Sequence, residues 1–124
     1  MTTLSFTVPG RPVPAVRATQ RSKHVDPRYH KYAAYKSWVA IHAKKAMVQQ
    51  KFLYVPEKMP IDFKAVATLA TKHKIDVDNI LKSLLDGLNG VAWYDDCQVM
   101  SAYISKEFVS KKEDEKVVIY INTL

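Results

Sequence analysis

The chain has 124 residues, of which 48% are apolar, and its net charge is +7. The apolar share excludes disorder, and the length predicts a single domain over 1–124. Excess Lys and Arg favour a polyanionic partner, nucleic acid before an anionic membrane; the alternative is a basic protein with neither. Cys97 is the only cysteine, so no disulfide can form within the chain, and we expect a cytoplasmic location. No window is apolar enough to span a membrane.

The N-terminal third predicts a strand, a basic loop and a long helix. Apolar residues alternate over 4–8, and this strand pattern stops at Pro9-Gly10. The segment 11–25 is rich in proline and basic residues and predicts a loop, either ordered or mobile without DNA. Asp26-Pro27 is typical of an N-cap followed by proline, so a helix is expected to about Gln50. Its expected core face carries Tyr35, Trp38, Val39, Ala43 and Ala46.

The remaining pattern completes the order β-α-β-α-β-β. Alternation from Ile61 to Leu69 predicts a strand, and a leucine stripe over 81–88 predicts a helix that stops at Asn89-Gly90. Alternation over 100–104 and 117–121 predicts two more strands, interpreted as an antiparallel hairpin. This order predicts a mixed α+β fold with one mixed sheet and two main helices packed on it. Parallel pairs joined by helices are expected among the first three strands.

Aspartates cluster in the stretch DVDNILKSLLDGLNGVAWYDD, in spite of the positive net charge. Asp76 and Asp78 lie where a strand gives way to a helix, so their side chains can share one side. Two carboxylates about 4 Å apart repel by about 4 kcal/mol at an effective dielectric near 20, and a proton or a cation relieves this. If the helix returns Asp95 or Asp96 to the same place, three carboxylates would form a Mg²⁺ site open to water and phosphate.

Simpler interpretations exist for each motif taken alone. Asp78 can be an N-cap, the Asp95-Asp96 pair an exposed turn, and Lys82 an ion-pair partner within its helix. Spacing alone favours the ion pair over a catalytic Lys82. An EF-hand is excluded because Leu81 and Gly87 stand where glycine and glutamate are required. Asp62-Phe63-Lys64 has the Asp-x-Lys spacing of restriction-type nucleases, but alternation favours solvated charges there, and the four histidines show no zinc spacing with Cys97.

The acidic stretch resembles the RusA family, the Holliday-junction resolvases of bacteria, phages and prophages. The N-terminal FTVPGRPVPAVR also resembles the start of family members. The matching positions in the acidic stretch are Asp76-Val77-Asp78-Asn79, Lys82, Asp86-Gly87-Leu88-Asn89-Gly90 and Tyr94-Asp95-Asp96-Cys97-Gln98-Val99.

The resemblance implies a homodimer that binds four-way DNA junctions by their shape in recombination and repair. It implies paired symmetric nicks in a Mg²⁺-dependent reaction, with Mn²⁺ as a substitute ion and no small-molecule cofactor. Carried over by position, Asp76, Asp78 and Asp96 would be the catalytic, metal-binding acids, with Asp95 as an alternative ligand. Lys82 matches the family's essential lysine, and Asp86 is expected to be structural.

Two further expectations concern DNA. A DNA-binding dimer without cleavage activity and a nuclease acting on flap or duplex DNA are the alternative functions, and a plain interaction protein is a third. DNA phosphate contacts are expected from Arg11, Arg17, Arg21, Lys23, Lys72 and Lys74.

Overall fold

The computed structural model describes residues 2–17, 19, 25–70 and 74–124, which contain four strands and two long helices. The order and the mixed α+β class are those predicted from the sequence. Short 3-10 helices lie at Asp96–Gln98 and Lys112–Asp114. The strands are β1 (Thr3–Pro9), β2 (Ile61–Leu69), β3 (Val99–Phe108) and β4 (Lys116–Thr123), and the helices are α1 (Pro27–Gln50) and α2 (Val77–Leu88).

The sheet has the strand order β1-β4-β2-β3. Strands β2 and β3 pair in parallel through the α2 crossover, which confirms the expected parallel pair, and β4 runs antiparallel to both β1 and β2. The predicted β3–β4 hairpin is therefore wrong. The apolar side chains Val117, Ile119 and Ile121 of β4 are fully buried, because β4 lies inside the sheet, between β1 and β2. Strand β3 lies at an edge and has many exposed side chains.

Helix α1 begins where the sequence predicts. The Asp26 carboxylate accepts a hydrogen bond from the backbone N–H of Arg28 at 2.9 Å, and Lys51 closes the helix in the left-handed conformation at φ 56°. Four of the five expected core residues are buried, but Trp38 is 42% exposed. Its indole N–H donates to the Pro9 carbonyl at 2.8 Å, so this ring lies along the end of β1 and outside the core.

The core lies between the two helices and one face of the sheet. The alternating residues Ile61, Phe63 and Ala65 of β2 are fully buried, as the sequence pattern predicts. Helices α1 and α2 approach closely at Gly87, where a Cβ atom would lie 3.1 Å from the Lys36 carbonyl oxygen. This close contact brings the side chains of α1 next to those on the second half of α2.

The two edges of the sheet differ. At β1, the backbone N–H and carbonyl of Ser5 are both bonded to the side-chain amide of Gln50, at 3.3 and 2.6 Å. At β3, side chains on both faces are exposed, among them Met100 at 70% and Tyr103 at 56%. A strand edge of this kind is suited to pairing with another chain.

Neither of the two long helices, nor any other helix in the described part of the chain, has the length and apolar content needed to cross a membrane.

Candidate active site

The first acidic pair lies at the N-terminal end of α2. Asp76 is the N-cap residue, and its side chain makes no capping hydrogen bond. Asp78 lies in the first turn, where its carboxylate accepts from the backbone N–H of Asn79 at 3.0 Å. The alternative that Asp78 is the N-cap is therefore wrong. Both carboxylates are exposed, and negative charge here is favoured by the positive end of the helix dipole.

Two contacts fix the backbone around this pair. The Lys106 ammonium of β3 donates to the Ile75 carbonyl at 2.8 Å. From the other side, the backbone N–H of Ala15 donates to the Asn79 carbonyl at 3.0 Å. The junction between β2 and α2 is thus held by β3 and by the proline-rich segment after β1.

The second acidic pair lies in the loop that leads from α2 to β3. Asp95 caps the 3-10 helix, and Gln98 completes a capping box with it. The Gln98 side chain is buried and also donates to the carbonyls of Pro56 and Met59, at 2.6 and 3.0 Å. The alternative of an ordinary exposed turn does not describe this loop, because the capping box and the bonds from Gln98 to Pro56 and Met59 fix its conformation.

Asp96 is half-buried against an indole ring. The Trp93 indole N–H donates to Asp96 Oδ1 at 2.7 Å, and Trp93 is fully buried. Burial raises the pKa of Asp96, and the charges of Asp86 and Asp95 raise it further, whereas the Trp93 hydrogen bond and the Lys82 charge lower it. The neighbouring Tyr94, by contrast, is 55% exposed.

Lys82 and Asp86 lie one turn apart on α2. The Lys82 ammonium is 3.5 Å from Asp86 Oδ2, so the ion pair that the spacing favoured is present, with Asp86 as the partner. The Lys82 side chain remains 64% exposed and can reach solvent or a ligand. The Tyr32 hydroxyl of α1 donates to the same Asp86 oxygen, which gives Asp86 the structural role expected of it.

The geometry separates the acids into two groups. Asp96 lies close enough to Lys82 and Asp86 for their charges to shift its pKa. Asp78 and Asp86 are eight residues apart, which is about 12 Å along a helix. Across the described ranges, no group of three His, Cys, Asp or Glu side chains is placed to hold a metal ion. Convergence of Asp76, Asp78 and Asp96 on one ion thus stays a prediction.

The expected DNA-binding residues have different environments. Arg17 and Lys74 are exposed. Arg11 instead donates through Nε and Nη2 to Glu115 Oε2, at 2.9 and 2.7 Å. Arg21, Lys23 and Lys72 lie outside the described residues, as does most of 18–24, so the order of the basic loop is untested.

Two residues of this region were not found from the sequence. Glu115 stands in the charged run SKKEDEK, a pattern typical of an exposed turn, yet it is buried, and it also accepts from the Ala70 backbone N–H at 3.1 Å. The Arg11 hydrogen bond lowers the pKa of Glu115. In the sequence, the only feature that connects Tyr32 with the site is its position near the basic loop. Its burial and its bond to Asp86 raise its pKa, so the phenol is neutral at physiological pH.

Comparison with known families identifies the chain. The family model described as Endodeoxyribonuclease RusA matches residues 9–122, which include both acidic pairs, Lys82 and all of α1 and α2. No curated protein matches the chain. Because the match spans nearly the whole sequence, the chain belongs to the RusA family of endodeoxyribonucleases.

Proposed function

We propose that the protein is a Mg²⁺-dependent, structure-specific endonuclease that resolves four-way DNA junctions by paired symmetric nicks. The family implies a junction-resolving endodeoxyribonuclease. The observation that carries the proposal is the placement of the matched residues. Asp76 caps α2, Asp78 and Lys82 lie on it, and Asp96 lies on the anchored loop after it; all four side chains are exposed or half-exposed.

The chemistry of the acids supports a hard divalent cation. Asp76, Asp78 and Asp96 would hold Mg²⁺ or Mn²⁺, because carboxylate oxygens are the ligands these ions prefer. Asp96 supports this choice in particular, since burial and two negative neighbours disfavour its ionised form, and a bound cation would relieve that cost. Held by these carboxylates, the ion would supply Lewis acidity to a water molecule and positive charge to the scissile phosphate.

The basic residues would bind and orient the DNA. The exposed Lys82 ammonium can donate to a phosphate oxygen and stabilise charge that develops there during cleavage. Arg17 and Lys74 are exposed and can contact the DNA backbone, which gives affinity without sequence information. The Arg11–Glu115 pair would anchor the start of the basic loop, and the backbone bond from Ala15 to Asn79 would hold the loop beside the N-terminal end of α2.

A homodimer accounts for paired nicks and suits the exposed edge of the sheet. Antiparallel pairing of two β3 strands about a two-fold axis would bring the start of β3 in one subunit toward the end of β3 in the other. Asp96 lies just before the start of β3, and the Lys106 contact places Ile75, next to Asp76, near its end. In such a dimer, the distance from Asp96 of one subunit to the Asp76–Asp78 pair of the other would be shorter than the same distance within one subunit.

The decisive experiment uses a synthetic mobile four-way junction with labelled strands. We expect symmetric nicks near the crossover with Mg²⁺, none with EDTA, and ends that DNA ligase can seal. Junction binding without nicks under all ion conditions would contradict the proposal in favour of a non-cleaving DNA-binding dimer. Equal cleavage of linear duplex or flap substrates in competition would instead favour a nuclease of broader specificity.

The dimer is tested separately by sedimentation. We expect the wild-type chain to sediment as a dimer and Tyr103→Pro to sediment as a monomer, because proline removes a backbone donor and distorts the β3 edge. A Tyr120→Ala variant on the inner strand β4, which is separated from β3 by β2, serves as the control, and it should remain dimeric. A dimer that survives Tyr103→Pro would exclude β3 as its interface.

A further inference from the structure

Tyr32 and Lys82 meet on the same carboxylate oxygen. Tyr32 is 4% exposed, and its hydroxyl donates to Asp86 Oδ2 across the α1–α2 contact. The Lys82 ammonium approaches that same oxygen to 3.5 Å. The Tyr32 ring is itself held from two sides, by the Lys36 ammonium 4.5 Å from its centroid and by the Tyr29 ring at 6.1 Å.

Sharing one acceptor weakens the contact between Lys82 and Asp86. A strong charge-assisted N–H···O bond has an N–O distance of about 2.7–2.9 Å. At 3.5 Å the Lys82 contact is longer than that, and the side chain stays 64% exposed. The hydroxyl proton takes one of the two lone-pair sites on Oδ2 and part of its negative charge, so the ammonium has less to gain by closing onto that oxygen.

We propose that Tyr32 is a positioning residue that keeps Lys82 available to the DNA phosphate. By taking one acceptor site of Asp86 Oδ2, the Tyr32 hydroxyl weakens the Lys82–Asp86 ion pair, which would otherwise hold the ammonium away from substrate. The assignment of Lys82 to the phosphate rests on the proposed function. The competition between the two donors rests on the contacts alone.

Tyr35, three residues along α1, provides a matched control. It is buried like Tyr32, at 5% exposure, and its hydroxyl has no hydrogen-bond partner among the described residues. Removing this hydroxyl therefore changes a buried tyrosine on the same helix without touching Asp86. A general requirement for tyrosine hydroxyls in the core would affect both positions, whereas a positioning role affects only Tyr32.

The activity test measures single-turnover nicking and the Kd of a synthetic four-way junction. Tyr32→Phe is expected to lower the nicking rate about tenfold and to change Kd by less than about twofold, because a displaced group slows the chemical step. Tyr35→Phe should leave both values unchanged. In Tyr32→Phe/Asp86→Asn the ion pair is gone, so the rate should rise again above that of Tyr32→Phe.

A structural role for Tyr32 would give the opposite double-mutant result. If Tyr32 only joins the helices, removing Asp86 as well cannot help, and a double variant no faster than Tyr32→Phe would overturn the proposal. A Tyr32→Phe rate equal to that of wild type would overturn it as well. Absence of nicking by the wild type would contradict the proposed function without deciding this point.

NMR relaxation of the Lys82 ammonium decides the point without activity or DNA. We expect a low order parameter in the wild type and a higher one in Tyr32→Phe, because the ammonium then closes onto Asp86. If Tyr32→Phe does not fold, the order parameter of the wild-type Lys82 ammonium still tests the proposal. A rigid Lys82 ammonium in the wild type would show that the tight ion pair already exists, and the proposal would fail.

Discussion

The two ends of α2 carry similar acids in very different surroundings. At the N-terminal end, Asp76 and Asp78 are exposed. Lys74 lies two residues before Asp76, and Lys106 and the segment after β1 bond to the backbone on either side of the pair. At the C-terminal end, Asp86 and Asp96 are partly buried beside the rings of Tyr32 and Trp93. One end is open and framed by basic groups, and the other is fixed and framed by aromatic rings.

The acids at the two ends of α2 therefore differ in how readily they can accept a ligand and in how firmly they are held. The open end can accept a ligand without moving a packed side chain, because no capping bond occupies the Asp76 carboxylate. The fixed end is already organised, since Trp93 and the capping box hold Asp96 in place. That organisation has a cost, because the ionised Asp96 is disfavoured by its neighbours. A functional site often accepts such a cost in stability.

The largest expected effect is on the nicking rate, and the accompanying change in Tm should distinguish the two ends of α2. Asp78→Asn and Asp96→Asn should each lower the nicking rate by about 1000-fold or more, because each removes a proposed ion ligand, while junction Kd changes little. Only Asp96→Asn should also raise the Tm without added metal, by a few degrees, since it removes a half-buried charge whose ionised form is disfavoured. Retained cleavage in either variant would contradict the metal-acid assignment.

The pH dependence of that stability difference has a definite sign. The folded-state pKa of Asp96 is raised above its ordinary value of 3.8. The folded state therefore binds this proton more tightly, and the contribution of Asp96 to stability falls as the pH rises from 3.8 through the folded pKa. The Tm difference between Asp96→Asn and wild type should be small at low pH and should grow toward neutral pH. A difference independent of pH would point to packing and not to charge.

A smaller effect is expected where the basic loop joins the open end. Glu115→Gln should lower the Tm by about 5 °C at neutral pH, because Arg11 loses a buried charged partner. The folded-state pKa of Glu115 is lowered below 4.5, so its contribution is present above 4.5 and is lost as the pH falls through the folded pKa. The Tm difference should therefore shrink in acid. Glu113→Gln, on the exposed turn nearby, is the control and should change little.

The capping box at the fixed end gives an effect near 1 kcal/mol. Asp95→Ala removes the acceptor for the Cys97 N–H, so the free energy of unfolding should fall by about 1 kcal/mol in urea titrations. Its nicking rate should fall less than that of Asp96→Asn. The reverse order of rates would identify Asp95, and not Asp96, as the ion ligand of this loop.

The smallest effect is expected at the exposed basic groups of the open end. Lys74→Ala should weaken junction binding only a few-fold and reduce the slope of log K against log salt by about 1, as expected for one lost phosphate contact. Lys58→Ala is a control, because Lys58 lies in the turn before β2, at the opposite end of that strand. Equal slopes for the two variants would remove Lys74 from the DNA interface.

Local features of the fold could be predicted because they depend on nearby residues. The Asp26 cap, the start of α1 and the buried face of β2 follow from spacing and residue type. The position of β4 could not be predicted in this way. Its pairing with β1 and β2 depends on which apolar strand needs burial on the inner sheet, and this competition involves the whole chain.

The same limit applies to the candidate site. The identities of Asp76, Asp78, Lys82 and Asp96 follow from the motif and its resemblance to a family. The bond between Tyr32 and Asp86 does not, because it depends on the close contact of α1 with α2 at Gly87, which no local pattern encodes. Glu115 was missed for a similar reason, since its partners Arg11 and Ala70 lie far away in sequence.

The placement of β4 between β1 and β2 has a consequence for how the chain acquires its structure. Thr3 bonds to Asn122 across 119 positions, so the sheet cannot close until both ends of this range have been synthesised. During translation, β1 and β2 remain unpaired until β4 has been made, and their apolar faces are exposed to chaperones or to aggregation. Long-range pairing of this kind also slows folding, so we expect refolding on a scale of milliseconds to seconds.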